Sequence, residues 1–212
     1  PLSIAKKNGH SAVVALLEAK AAEERRQRLA AEAQAAEAER RRSSAQDMAS
    51  MSLFDACSRG RRDIVQAWLD RGADANSPTD AQGRTPLYIA CRNGHVDAAR
   101  LLLDNGADVD RAQKDGWAPL LVACCYDHIE VVKLLLDRGA EVDRAREDGA
   151  TPLYMACFNG RVNVARLLLE KGAKVKRTTK NGKTPLSIAK ERGHSAVVAL
   201  LEEHTRRRWG GY

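Results

Sequence analysis

The stretch from Thr85 to Asp110 reads TPLYIACRNGHVDAARLLLDNGADVD, and a second, from Ala118 to Asp143, reads APLLVACCYDHIEVVKLLLDRGAEVD. A third, TPLYMACFNGRVNVARLLLEKGAKVK, spans Thr151 to Lys176. Each follows a glycine by one or two residues, and Gly83, Gly116, Gly149 and Gly182 stand 33 residues apart. Gly106-Ala107, Gly139-Ala140 and Gly172-Ala173 keep the same period after a leucine run. Gly72-Ala73 lies 34 residues before the first of them, so one residue has been inserted near Ser77-Pro78-Thr79. Self-similarity at such a period marks a repeat architecture.

The local structure of one unit follows from its residues. Thr85 is suited to cap a first helix, and Pro86 sits where a helix tolerates a missing amide. Asn93-Gly94 ends that helix with a residue suited to positive φ. A second helix, from His95 to Asp104, turns Val96, Ala99, Leu102 and Leu103 toward neighbours, and Asn105-Gly106 ends it. Ala107 to Gly116 then forms an extended turn with Asp115-Gly116 at its tip. Two short helices cannot bury their own apolar faces, but stacked pairs can. The spacing therefore predicts an all-α repeat solenoid.

These segments resemble ankyrin repeats, whose pattern has T-P-L-H, a G-H turn, a leucine run and G-A-x-V-N. The resemblance recurs from Met51 to His204. The chain departs from the pattern at the His slot, which holds Tyr88, Leu121, Tyr154 and Ser187. Asp127 stands for the usual turn Gly, and Lys176 for the usual terminal Asn or Asp. The resemblance implies stacked helix-turn-helix units with extended β-turn hairpins. It also implies that turn tips and first helices line one concave side. Five units are expected, at residues 51–82, 83–115, 116–148, 149–181 and 182–204, with the outer two as caps. Residues 205–212 form a basic tail.

The first fifty residues are of another kind. Pro1–Leu17 matches Pro185–Leu201 at fifteen of seventeen positions, the exceptions being Lys7/Glu191 and Asn8/Arg192. The chain thus opens inside a copy of its own last unit, and a truncated repeat at 1–17 with a second array upstream is expected. Residues 18–50 are rich in Ala, Glu, Arg and Gln, without Gly or Pro. They are predicted to form a charged helical linker ending near Ser43-Ser44. Leu29 is the only large aliphatic residue from Ala19 to Gln46, so the apolar core that a coiled coil requires is missing.

Charge is unevenly placed. The net charge is +7, yet residues 171–212 carry 11 basic and 3 acidic residues. A basic end favours an acidic partner through its field. No run approaches the length of a membrane span. Nucleic-acid binding is disfavoured, because no interleaved aromatic stacking positions accompany the charge.

Candidate chemistry is sparse. Cys57, Cys91, Cys124 and Cys157 occupy one equivalent helix position, which suits buried small thiols. Units stacked about 10 Å apart cannot bring such thiolates to one zinc ion. Cys125 lies one residue on, toward the exposed side. His10, His95, His128 and His194 all follow the turn between the helices of a unit, where they are expected to hydrogen-bond over it. No phosphate loop, calcium loop or nucleophile elbow is present. Neither catalytic residues nor a metal or cofactor is expected.

A surface for a protein remains. On the concave side that the resemblance implies, the candidate partner-binding residues are Arg84, Ile89 and Arg92; Trp117, Val122, Cys125 and Tyr126; Met155 and Phe158; and Lys183. Trp117 stands out because its equivalent slots hold Arg84, Ala150 and Lys183. A residue demanded by the fold should recur. Arg111, Arg144 and Arg177 form a second set, 33 residues apart along the turns. The expected function is a non-catalytic interaction module that binds a protein or peptide, with an acidic one favoured. The alternative is a regulatory or targeting segment of a larger enzyme. The array is expected to be monomeric, with self-association through residues 1–50 left open. With no paired cysteine framework, a reducing intracellular location is expected, cytoplasmic with the nucleus left open.

Overall fold

The computed structural model describes residues 11–209. The first ten residues of the opening copy, His10 among them, and the last three of the basic tail lie outside the described residues. The chain divides into two compact units, Pro1–Ala49 and Ser50–Tyr212.

In the first unit, one helix, α1 (Ser11–Ser50), runs through Ser43-Ser44 without a break. Serine lowers helix propensity only slightly, and neither Gly nor Pro is present to stop the helix. Glu37 and Arg41 pair at 2.6 Å along its exposed surface. Leu16 and Leu29 are largely solvent-exposed, and nothing along the helix supplies a coiled-coil seam.

The second unit is a stack of helix pairs. In chain order these are α2 (Leu53–Arg59) with α3 (Arg62–Asp70), and α4 (Pro86–Arg92) with α5 (Val96–Asp104). Then come α6 (Pro119–Tyr126) with α7 (Ile129–Asp137), and α8 (Pro152–Phe158) with α9 (Val162–Glu170). The last pair is α10 (Pro185–Glu191) with α11 (Ser195–Trp209). First helices pack on first helices, α2 on α4, α4 on α6, α6 on α8 and α8 on α10, with the second helices behind. The stack thus forms an all-α solenoid.

Caps set the first helices. Thr85 Oγ1 accepts from Tyr88 N at 3.1 Å, and Thr151 Oγ1 from Tyr154 N at 3.2 Å. Thr184 and Ser187 exchange bonds in both directions. Ala118 leaves the third unit without a side-chain cap, on the same backbone angles as Thr85. Such a cap contributes about 1 kcal/mol.

The expected extended β-turn hairpins do not form: no strand occurs among the described residues. Each tip is instead a closed turn. Thr79 N donates to Arg84 O, Gln113 N to Trp117 O, Arg146 N to Ala150 O and Thr179 N to Lys183 O, at 2.7–3.1 Å. One bond across a turn does not make a ladder. Neighbouring tips are tied by Lys114 N to Gln82 O and Lys180 N to Asp148 O, which join turn to turn rather than strand to strand.

The turns between helices couple each unit to the next. His95 Nε2 lies 2.9 Å from Ser58 O, His128 Nε2 3.0 Å from Arg92 O, and His194 Nε2 3.1 Å from Phe158 O. The imidazoles lie against Gly60, Gly94 and Gly160, where an added methyl would come within 2.5–2.7 Å of the ring. The remaining junction is built differently. Asp127 takes the left-handed conformation at φ 69°, and the next unit offers Arg161 in place of His, 3.8 Å from the carboxylate. A side chain at Asp127 and an imidazole at 161 would compete for one space, and the sequence changes both.

Candidate protein-binding face

The first helices are buried on more sides than their sequence suggests. Cys57, Cys91, Cys124 and Cys157 have no exposed surface, and burial pushes the thiols of Cys57 and Cys157 up to about 12. Ile89 and Val122, each 1% exposed, and Met155 are likewise interior. These three support the face from behind and do not present their side chains to a partner.

What reaches the surface is a set of arginines over aromatic rings. The Arg92 guanidinium lies 5.9 Å from the centroid of Tyr126, which is 48% exposed and stacks on His128 at 6.3 Å. Arg146 covers the half-buried Trp117 at 4.8 Å, Arg192 covers Phe158 at 3.9 Å, and Arg84 covers Phe54 at 5.5 Å. Each pair joins adjacent units. Trp117 also packs on a buried cluster of Ala118, Leu121, Ala150 and Met155. Between the second and third units lies a groove of about 340 Å³, lined by Arg84, Tyr88, Arg92, Trp117, Val122 and Tyr126 among others. Trp117 and Tyr126 therefore share one groove. Phe158 sits apart, against Tyr154 and Arg192.

Several charged candidates are already engaged. Arg84 pairs with Asp80, and Lys183 Nζ reaches Glu191 at 2.6 Å. Arg144 approaches Glu141 at 3.5 Å, and Arg177 donates to Asp143 O at 3.2 Å, while Arg111 is exposed. The acids beside this series do not neutralise it. Asp110 accepts from Glu141 N at 3.1 Å and Asp143 from Lys174 N at 3.0 Å, so they stitch one loop to the next. Cys125 is half-buried and accepts from Asn159 Nδ2 at 3.5 Å, and burial raises its thiol above the ordinary value. It is a neutral contact, not a nucleophile.

Arg146 and Arg192 were not apparent among the candidates. Arg146 was readable: its equivalent slots hold Asp80, Gln113 and Thr179, so it breaks the register next to Trp117, which breaks it too. Among the described residues, no cluster of His, Cys, Asp and Glu is arranged to hold a metal ion. No helix among them is long and apolar enough to cross a membrane.

The sequence model of the family described as ankyrin repeats (3 copies) matches residues 53–146 and 142–207. The chain belongs to the ankyrin-repeat family, and the matched part is a non-catalytic protein-interaction module. A comparison with curated proteins finds no match.

Proposed function

We propose that the array, as a monomer, recognises an acidic segment of a partner protein through the groove between its second and third units. The observation that carries this reading is the Arg92–Tyr126 pair. Arg92 is exposed, stacks on the ring and meets no carboxylate among the described residues, whereas Arg84 and Arg146 are held by Asp80 and Asp148. A guanidinium stacked by its face offers its N–H edge to a carboxylate in two-pronged geometry. Tyr126 and Trp117 supply the kind of aromatic contact that anchors interfaces. Arg111, Arg144 and Arg177 act at longer range, raising the association rate with an acidic partner.

Residues 51–204 serve as the folding unit in this reading, with residues 1–50 dispensable for the groove. The five cysteines are free thiols, which suits a reducing intracellular compartment such as the cytoplasm.

The test begins with affinity capture on the intact array, followed by titration of the captured protein. Trp117→Ala should keep the fold and weaken binding by about 2 kcal/mol, roughly thirtyfold. Arg92→Glu should abolish preference for the acidic segment, and Arg144→Glu should slow association chiefly at low salt. Normal binding by both Trp117→Ala and Arg92→Glu moves the interface elsewhere. If Trp117→Ala unfolds, Tyr126→Ala, at a half-exposed ring, makes the same decision.

A further inference from the structure

The loops that follow the second helices form a ladder of their own. In each, two slots hold acceptors: Asp74 and Asn76, Asp108 and Asp110, Glu141 and Asp143. The second slot takes a backbone N–H from the next loop. Asn76 Oδ1 accepts from Asp108 N at 2.7 Å, Asp110 from Glu141 N at 3.1 Å, and Asp143 from Lys174 N at 3.0 Å. In the fourth loop both slots change sign together, to Lys174 and Lys176. One repeat further on, the chain is helical within α11, so no loop succeeds this one among the described residues. Beside it lies a cavity of about 350 Å³ lined by Lys174, Val175, Lys176, Arg177 and His204, with Gly172 and Ala173.

We infer that this cavity is a second docking site, distinct from the concave groove, and that it takes an extended, carboxylate-bearing peptide segment of a partner protein. The polarity of the ladder decides the occupant. A further repeat, or a second copy of this chain stacked end to end, would bring backbone N–H donors to the slot, and two ammonium groups cannot accept them. A carboxylate supplies the acceptor that the position now requires, in charge-assisted bonds. None of the lining residues is acidic. The carboxylates of α11 are held by their own partners, Glu202 by Lys190 at 2.7 Å and Glu203 by Arg207 at 2.6 Å. Val175 and Ala173 give the apolar contact that an extended chain meets on alternate residues.

The probe is a fluorescein-labelled peptide of alternating Glu and Ala, titrated against the full chain by fluorescence anisotropy. The double variant Lys174→Glu, Lys176→Asp restores the residues of the loop before it, so it should fold as the parent does. It should lose at least about tenfold in affinity for the peptide relative to Arg100→Glu, Lys180→Glu, which carries the same charge change outside the cavity. Amide chemical shifts of Gly172–Arg177 should move on titration, and Trp117→Ala should leave the binding unchanged. Equal losses in the two double variants would reduce the effect to a general field and overturn the site. Equal binding of the matching Gln-Ala peptide would overturn the carboxylate reading. So would an oligothymidylate of equal charge that binds as tightly and with the same sensitivity to Lys174→Glu, Lys176→Asp.

Discussion

The heptapeptide Ser-Ala-Val-Val-Ala-Leu-Leu occurs twice, at residues 11–17 and 195–201, and the two copies have different surroundings. In α11 it packs against α9 and α10: Val197 and Leu201 are interior and Leu200 is 9% exposed. In α1 the residue equivalent to Leu200 is Leu16, which is 72% exposed. Both copies are helical, because helix formation needs only local propensity and the absence of breakers. Burial needs a neighbour, and only the copy inside the array has one. The same residues therefore carry stability in one place and none in the other, which is the nearest-neighbour logic of a repeat stack.

The comparison is most directly broken by paired truncations. Leu200→Ala should cost about 3 kcal/mol of array stability, and Leu16→Ala close to nothing, as read by urea unfolding of the full chain. Equal costs would mean that α1 buries Leu16 after all. The turn junctions make the same point on a smaller scale. Arg161→His, placed opposite Asp127, should destabilise by about 2 kcal/mol through overpacking, and adding Asp127→Gly should recover most of it. Additive effects would show that the Gly–His pairing of the other junctions is incidental.

A further substitution compares one unit with its neighbours. Ala118→Thr should stabilise by about 1 kcal/mol, because Thr85 occupies the equivalent backbone with a working cap. The smallest effect concerns acid. The hydrogen bond from Arg146 holds the Asp148 carboxyl below its ordinary value of 3.8. Its contribution is thus present above that value and lost as pH falls below it. Asp148→Asn should flatten the acid limb of a stability-against-pH curve and leave stability at neutral pH little changed.

The helices were legible because Thr-Pro at their starts and Asn-Gly or Asp-Gly at their ends act within a few residues. The missing strands were not, since the pattern marks where the chain turns but not how many bonds cross the turn. Ile89 and Val122 were misplaced on the exposed side for a related reason. A first helix such as α6 is flanked by α4 and α8 and backed by α7, so apolar residues surround it and its period shows no free face. Trp117 could be singled out because the repeat supplies its own control, three equivalent slots with other residues. Arg146 carried the same signal one turn away, but a ring and a guanidinium brought together by stacking are 29 residues apart in the chain. The sign change at Lys174 and Lys176 was half visible as a lost Asn or Asp; what it inverts became apparent only with the loop-to-loop bonds.

The column of buried thiols has a practical consequence. Cys57, Cys91, Cys124 and Cys157 place one inert sulfhydryl at the centre of each of the first four units, neutral at ordinary pH and sealed from solvent. An alkylating reagent can reach such a group only while its own unit is open. Each cysteine is thus an internal timer for the opening of one layer, and in a stack held by nearest-neighbour contacts the end layer at Cys57 is modified ahead of the middle. Cys125, half-open beside its buried neighbour, gives the rate for a thiol that needs much less opening. The order in which the five are modified would read out, layer by layer, how cooperatively the array comes apart.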